Sequence, residues 1–288
     1  MYHILVNASR LDKKHSKKLA VVENVFKNAG LGFTVHKTGS EDEVKSLTRE
    51  ITSGQGEVVV VMGGDGTLHQ VLNSFVDFEN NAMAVIPFGT GNDFAAAVRI
   101  PNDVEKAAKI VAEGKIKNID FIQLSSGVRS LNAVGMGIDV DVLKRTYAGK
   151  STKKSKYLKA LIVSLAKFKS YDFTLEFDGK SEEHFGLIAA VGNGRQIGGG
   201  ITIFPDAEVD DGYMELFIAD YISKFKTIGA FIKLMTGKVK KVKQTTTLRV
   251  KKVKFIPHAP LTIQADGELY DMPLEAEIAE KKLKFILA

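Results

Sequence analysis

Read for the spacing of its apolar positions, the chain divides into two stretches of different period. Up to about residue 120, short apolar runs alternate with segments whose apolar residues recur every three or four positions. His3-Ile4-Leu5-Val6 reads as a strand, Lys18 to Ala29 as a helix closed by Gly30, and Phe33-Thr34-Val35-His36 as the next strand. Glu41 to Thr52 reads as a helix, because Val44, Leu47 and Ile51 share one face and Ser40 stands where a cap is needed. Strand Val58 to Met62 follows, then a glycine loop and a helix, strand Ala82 to Ile86, a second glycine loop at Gly89-Thr90-Gly91, a short helix, and a helix from Val104 to Glu113. This alternation predicts an α/β domain over residues 1–120, with a parallel sheet covered on both faces and ligands at the carboxyl ends of its strands.

After Ile119-Asp120-Phe121 the period changes to two. Phe173 to Phe177 with the turn Asp178-Gly179 predicts a hairpin, and Tyr213 to Ala219, Leu248 to Ile256 and Leu261 to Ala265 read as further alternating strands. The expectation is a second, mostly antiparallel β-sandwich domain from about 121 to 272, with helical insertions near 155–168 and 223–236. The last strand, Lys282 to Leu287 within about 276–288, is left either to end that domain or to return to the first. No internal repeat or low-complexity segment is present.

Composition narrows the chemistry. With 288 residues, 44% of them hydrophobic and 26% charged, the chain is long enough for two domains that each bury a core. It has no cysteine, which excludes disulfides, iron–sulfur clusters, thiolate zinc and a cysteine nucleophile, and which fits a reducing compartment, the cytoplasm. Met1 to Asn7 has too short an apolar run and no basic lead for a signal peptide, and Ala160 to Ala166 is far below the ~20 apolar residues of a membrane span.

The net charge of +6 hides an uneven distribution. Lys144 to Tyr171 holds nine Lys/Arg and no acid, and Tyr221 to Ala265 holds eleven and none. These windows sum to +20 and leave −14 elsewhere, which suits an anionic surface such as phospholipid or nucleic acid, or else a lysine face kept for solubility. The aromatic residues Tyr157, Phe168, Tyr171, Phe225 and Phe231 intersperse the windows and suit a membrane interface, or else the apolar faces of the helices Tyr157 to Phe168 and Phe225 to Met235.

Candidate chemistry begins where the strand Val58 to Met62 runs into Gly63-Gly64-Asp65-Gly66-Thr67 and then a helix. Glycines let the backbone approach an anion, and the first N–H groups of the helix point at it with the positive end of the dipole, so the loop reads as a polyphosphate site. Asp65 is out of place beside bare phosphate and fits if a magnesium ion, or a water on it, bridges the two. Pro87-Phe88-Gly89-Thr90-Gly91-Asn92-Asp93-Phe94 joins strand to helix in the same way, with Thr90 and Asn92 able to bond phosphate or ribose. Gly192-Asn193-Gly194, Gly198-Gly199-Gly200, the segment Phe204 to Gly212, and Asp266-Gly267-Glu268 complete the set.

In this order the clusters resemble the diacylglycerol kinase catalytic-domain family, which includes sphingosine kinases and soluble bacterial lipid kinases. GGDGT at 63–67, PFGTGNDFA at 87–95, the GNG and GGG stretch, PDA and DDG within 205–212, and DGE at 266–268 are in register with it, and the resemblance runs from Tyr2 nearly to the end. GGDGT alone is shared with NAD kinases and phosphofructokinases, so the implied N-terminal fold is that α/β scaffold. The resemblance implies ATP as co-substrate and Mg2+ as cofactor. It implies an ATP site at Gly63, Gly64, Asp65, Gly66, Thr67, Leu68 and His69, with Thr90, Asn92, Asp93, Asn7, Ser9 and Thr38. Glu268 is implied as the general base, Asp266 beside it as a holder of metal or substrate, and Asp65 as linked to the catalytic magnesium through water. Glu208, Asp211 and Tyr213 resemble a second, structural magnesium site, with Glu208 and Tyr213 giving backbone carbonyls and Asp211 its side chain. The chain departs from the family in two places: Asn7-Ala8-Ser9-Arg10-Leu11 stands for Asn-Pro-x-Ser-Gly, and His69-Gln70 for Asn-Glu.

The implied activity is phosphorylation of the hydroxyl of diacylglycerol or a similar lipid to phosphatidic acid. The lipid would enter a cleft between the domains while the basic windows hold an anionic membrane surface, so the protein is expected in the cytoplasm and reversibly at the inner face of the membrane. No nucleic acid is expected as a partner. The oligomeric state stays open, with a homodimer among the options. The alternatives are a kinase of a soluble substrate such as NAD, and a non-catalytic binder of anionic lipid or nucleic acid. His3, His15, His36, His69, His184 and His258 show no metal-binding spacing, and no G-x-S-x-G elbow supports a serine hydrolase.

Overall fold

The computed structural model describes residues 1–147, 160, 162–165, 167–223, 226, 229–230, 233–234, 236–259, 262–271 and 273–288. It divides into two compact units, Met1–Asp120 with Glu280–Ala288, and Phe121–Ala279.

The first unit is built in the order β1 (Tyr2–Asn7), α1 (Lys13–Asn28), β2 (Phe33–Thr38), α2 (Glu41–Thr52), β3 (Val58–Gly63), α3 (Asp65–Ser74), β4 (Ala82–Pro87), α4 (Asp93–Ala97), α5 (Val104–Glu113) and β5 (Ile116–Ile119). Strands β1 to β4 pair in parallel. β3 and β4 are buried along their whole length, as expected of strands covered on both faces, and the helix pairs α1 with α5 and α2 with α3 supply the cover. Ser40 caps α2, accepting the N–H of Glu43 at 3.2 Å, and Val44 and Ile51 face the core. Helix α1 begins at Lys13 rather than Lys18, because its first turn is polar and lacks the apolar spacing that marked the rest. The C-terminal strand Leu283–Ile286 enters this sheet between β4 and β5, parallel to the first and antiparallel to the second. Phe285 is fully buried there and meets Phe94 edge to face at 5.5 Å. The carboxylate of Asp120, fully buried, is paired with Lys282 at the same end of the sheet.

The second unit holds β6 (Ile122–Leu124), β7 (Arg129–Ser130), β8 (Ala133–Gly137), α6 (Ile138–Tyr147), β9 (Tyr171–Phe177), β10 (Lys180–Gly192), β11 (Gln196–Ile197), β12 (Ile201–Thr202), β13 (Met214–Asp220), β14 (Thr245–Val250), β15 (Lys252–Pro257), β16 (Ile263–Ala265), β17 (Glu268–Tyr270) and β18 (Leu274–Ile278). All but β11 and β12 belong to one antiparallel, curled, sandwich-like sheet of eleven strands. The long β10 makes the curl: its first half pairs with β9, its second half with β8 and β13, and the register slips between Gly186 and Ile188. Phe173, Leu175, Val191, Leu216, Val253 and Phe255 fill the space inside.

The single strand expected at Leu248 to Ile256 is two strands. Alternation slips at the doublet Lys251-Lys252, both exposed between buried Val250 and Val253, and the chain turns a corner there. β14 pairs with β13, whereas β15 pairs with β9 and β18. Of the two expected helical insertions, residues 160, 162–165 and 167 and residues 226, 229–230 and 233–234 are helical; Phe168, Ser223 and Thr236 are not, and the remaining positions, including Tyr157, Phe225 and Phe231, lie outside the described residues. Among the described residues no helix is long and apolar enough to cross a membrane.

Candidate active site

Strand register in the first unit sets the ends of four strands in one row. Asn7 pairs with Thr38, Val6 with Met62, and Gly63 with Pro87, so β1, β2, β3 and β4 deliver their following loops to the same edge. There the two glycine loops cross in contact. A Cβ on Gly89 would stand 2.6 Å from the Gly64 Cα and 2.7 Å from the Asn92 Oδ1, distances no side chain tolerates, so the crossing requires glycine. Asn92, left-handed at φ 57°, pins its loop: its Oδ1 accepts from the Gly89 N–H at 3.0 Å and its Nδ2 donates to the Gly89 carbonyl and to Asn102 Oδ1.

Asp65 ties the loops together. Its carboxylate accepts from the backbone N–H groups of Asp93 and Phe94, each at 3.2 Å, at the start of α4. Gly64 precedes α3 with no side-chain cap, which leaves the first-turn amides to an anion. A half-buried carboxylate beside an anion-binding helix start needs a cation to sit next to phosphate, so the residues fit a magnesium ion reached through water at Asp65.

The other expected nucleotide residues fall into two groups. Ser9 and Thr90 are exposed at the loop tips, and the Asn7 Oδ1 accepts from Ser9 N–H at 2.8 Å and Ser9 Oγ at 2.6 Å, which shapes the first loop. Thr38, Leu68, His69 and Asp93 are buried. The Thr38 hydroxyl donates to the Val6 carbonyl, and the His69 ring meets Asn73 Nδ2 at 3.3 Å. Their side chains build the wall of the site rather than its surface.

In the second unit Asp266 sits at a left-handed turn, φ 50°, between β16 and β17. Its carboxylate accepts from Ser130 Oγ at 2.6 Å and from the N–H groups of Leu131, Asn132 and Ala133 at 3.0, 2.9 and 3.2 Å. Its acceptor capacity is taken up in folding the loop before β8, so Asp266 positions backbone, and a role as metal holder finds no support in this arrangement. Glu268 opens β17 and is half-buried. The loop it follows is held from the other side by Tyr147, the last residue of α6, whose hydroxyl donates to the Gly267 carbonyl at 2.5 Å. Desolvation of the hydroxyl and the neighbouring charge of Glu268 push it up to about 12, although the residue as a whole is exposed, so it stays a donor across the working pH range. Lys144, one turn earlier, reaches Thr262 at the foot of the same hairpin.

The three residues expected as a structural magnesium site carry organic cations. Asp211 Oδ2 accepts from Arg249 at 2.6 Å and its Oδ1 accepts from the Tyr213 N–H at 3.0 Å, while Glu208 is paired with Arg195. The Arg249 guanidinium lies over the Tyr213 ring at 4.3 Å, with Lys251 at 5.1 Å. As they stand, the side chains of Asp211 and Glu208 pair with arginines. Among the described residues no group of three or more His, Cys, Asp or Glu is arranged to hold a metal.

Sequence reading missed Tyr147 and the loop Ser130 to Ala133. Neither carries a signal of its own, since each acts only through contact with a turn more than 115 residues away. It also missed Asp139, buried beside Gly135 with neither carboxylate oxygen at hydrogen-bonding geometry; burial pushes it up to about 6. Burial likewise pushes Glu215 up to about 7, although its Oε2 accepts from the Asp206 N–H at 2.7 Å.

Residues 1–124 match the Diacylglycerol kinase catalytic domain, and residues 132–287 match the YegS C-terminal NAD kinase beta sandwich-like domain. The chain belongs to the family that joins this catalytic domain to the YegS-type C-terminal domain, the second match alone covering more than half of it. Among relatives, the family's diacylglycerol kinase of Bacillus subtilis (strain 168) is 29% identical over 241 residues, 81% of this chain and 77% of the relative. The diacylglycerol kinase of Mycobacterium tuberculosis (strain ATCC 25618 / H37Rv) is 28% identical over 261 residues, 88% of this chain and 84% of the relative. These names support a lipid kinase. The fold is that of the crystal structure of a diacylglycerol kinase from Bacillus anthracis str. Sterne, with TM-score 0.78 and 19% identity over 100% of this chain and 96% of the other. It is also similar to an NAD kinase from Archaeoglobus fulgidus in complex with ATP, with TM-score 0.53 and 16% identity over 99% and 93% of the two chains.

Proposed function

We propose that the chain is an ATP- and magnesium-dependent kinase that transfers the γ-phosphoryl group to the hydroxyl of diacylglycerol or a similar lipid, giving phosphatidic acid. The observation that carries the lipid acceptor is a mostly apolar cavity of about 80 Å³ inside the second unit, walled by Ile138, Val142, Leu165, Ile188, Phe217 and other apolar side chains, with Asp139 and Thr245 its polar members. A water-soluble acceptor has no use for such a wall.

In this reading the acceptor hydroxyl oxygen bonds to the γ-phosphorus, the bond from phosphorus to the β,γ-bridging oxygen breaks, and ADP leaves. Glu268 takes the hydroxyl proton. Gly63 to Thr67 and the start of α3 hold the phosphates, and Asp65 would hold magnesium through water. Bound magnesium supplies positive charge to the phosphate oxygens; the remaining work is positioning. Asp266 and Tyr147 serve by holding the turn that carries Glu268.

Incubation with labelled ATP, magnesium and a panel of lipids in mixed micelles, with NAD as a soluble acceptor in parallel, tests the proposal. Label in a glycerolipid is expected; label in NAD alone would replace the lipid reading by the one that the NAD-kinase-like fold favours. Glu268→Ala should lose at least ~10²-fold in turnover while still binding ATP. Undiminished activity removes Glu268 from the mechanism.

The basic windows support peripheral docking on an anionic membrane from the cytoplasmic side, each surface charge contributing ~1 kcal/mol. Binding to vesicles should rise with the anionic lipid fraction and collapse at high salt. Equal binding to neutral vesicles rules the docking out.

A further inference from the structure

The apolar cavity of the second unit is too small for an ordinary acyl chain as it stands. Its volume of about 80 Å³ is well below the roughly 300–1,000 Å³ of ordinary ligand pockets, so a chain enters only if part of the wall moves. The walls are not equally firm. β10 and β13 supply Ile188, Phe217 and Ala219 and are paired with each other over six positions, and each is also paired with a second strand, β8 or β14.

The hairpin β11–β12 supplies Ile197 and Ile201, with Ile203 just beyond it. It is paired at only two positions, Gln196 with Thr202 and Ile197 with Ile201, and among the described residues it joins no other strand. A two-stranded hairpin of this size has little stability of its own. Its tip is Gly198-Gly199-Gly200, with φ of 64°, 80° and 124°, a left-handed run that only glycine follows without strain. Its base is fixed, because Asn132 Nδ2 donates to the Gln196 carbonyl at 2.9 Å and the Phe204 N–H donates to the Arg195 carbonyl at 3.1 Å. Between its clamped ends this wall is held by two ladder positions and by the packing of Ile201 and Ile203 beside Phe204 and Phe217.

We infer that this triglycine hairpin is the yielding wall of an alkyl-chain site, and that Ile197, Ile201 and Ile203 set which chains the site accepts. The ligand class is a single unbranched acyl or alkyl chain; a ring or a branched chain would have to part β10 from β13, which the ladder resists. The inference rests on the lipid-kinase reading for its purpose, and its first test is read by binding alone.

The chain has no tryptophan, so Ile197→Trp, at the half-buried edge of the hairpin, places a single fluorophore in the wall, and Ile116→Trp, on an exposed strand of the first unit, serves as control. Each is titrated with hexadecanoic acid brominated along its chain. Saturable quenching at position 197 and none at 116 is expected. Equal, unsaturable quenching at both overturns the site. In the kinase assay, Ile201→Ala should raise kcat/KM for long-chain over short-chain diacylglycerol by about tenfold, the size expected when a hydrophobic pocket gains or loses a few methylenes. An unchanged ratio, with unchanged thermal stability, overturns the role of the hairpin. Quenching without phosphorylation leaves the chain site standing and removes the kinase reading, whereas phosphorylation without quenching does the reverse.

Discussion

Asp65 and Asp266 both stand beside turn glycines, and both carboxylates are held by backbone N–H groups of another loop, but by different amounts of structure. Asp65 reaches forward 28 and 29 residues to two N–H groups at the start of α4, within a run of consecutive strands and helices. Asp266 reaches back 133 to 136 residues and gathers four donors, three of them backbone. In the first unit the strand ladder already places the loops, and the carboxylate trims them. In the second unit no ladder orders Leu131 and Asn132; the carboxylate orders their N–H groups, and Asn193 donates to both of their carbonyls.

This difference sets the largest expected effect. Asp266→Ala orphans four donors, three of which cannot rotate away, and should destabilise the second unit by about 3 kcal/mol or more, with Asp65→Ala costing roughly half as much. Urea unfolding of both variants checks it, and equal losses would break the comparison.

The units also differ in how they treat a buried acid. Asp120 of the first is paired with Lys282, whereas Asp139 of the second forms no ion pair among the described residues. Since the folded state holds Asp139 above its ordinary 3.8, at about 6, its proton is retained where the unfolded chain has lost it. That contribution is complete below the unfolded value and lost as pH rises through about 6, a span of roughly 3 kcal/mol. Glu215, raised to about 7, extends the decline. Asp139→Asn should flatten the slope of stability between about pH 4 and about pH 6. An unchanged slope would mean that the group is solvated or paired in solution.

At the crossing of the glycine loops, Gly89→Ala brings a methyl group to 2.6 Å from Gly64. Overpacking of this kind costs about 1–3 kcal/mol, and because it parts the loops at the phosphate edge, ATP affinity should fall more than stability does. Calorimetry with ATP against a melting curve separates the two. The smallest effect is Tyr147→Phe, which deletes one hydrogen bond to Gly267. A loss of ~1 kcal/mol in turnover, about fivefold, is expected with ATP affinity unchanged. A change in ATP affinity instead would show that Tyr147 does not act through the turn.

Much of the first unit was legible because its signals are local. Val58 to Met62 announces a buried strand, Gly63 to Gly66 a loop that admits an anion, and Ser40 with Val44 and Ile51 a capped, one-sided helix, all within a dozen residues. The glycine loops could be placed at strand ends before any coordinate was known. What Asp65 bonds to could not, since Asp93 and Phe94 are brought to it only by the crossing of Gly64 and Gly89. In the second unit the alternation marked β9, β13 and the turn at Asp178, yet it ran Leu248 to Ile256 together as one strand. The doublet Lys251-Lys252 was the visible trace of the corner, but its meaning depends on which layer each half joins.

From the sequence alone came the order of strands and helices, the change of period near residue 121, the glycine loops with their carboxylates, and the family those motifs resemble. Each rests on residues close together in the chain, where spacing and stereochemistry suffice. The tertiary structure decided the rest: the C-terminal strand lies between β4 and β5, Asp266 serves the loop at 130–133, Tyr147 holds the turn before Glu268, Arg249 pairs with Asp211, and two isoleucines of a short hairpin, with Ile203 beyond it, line a cavity. These depend on which distant surfaces bury each other, and apolar burial has no direction in sequence until the chain has folded.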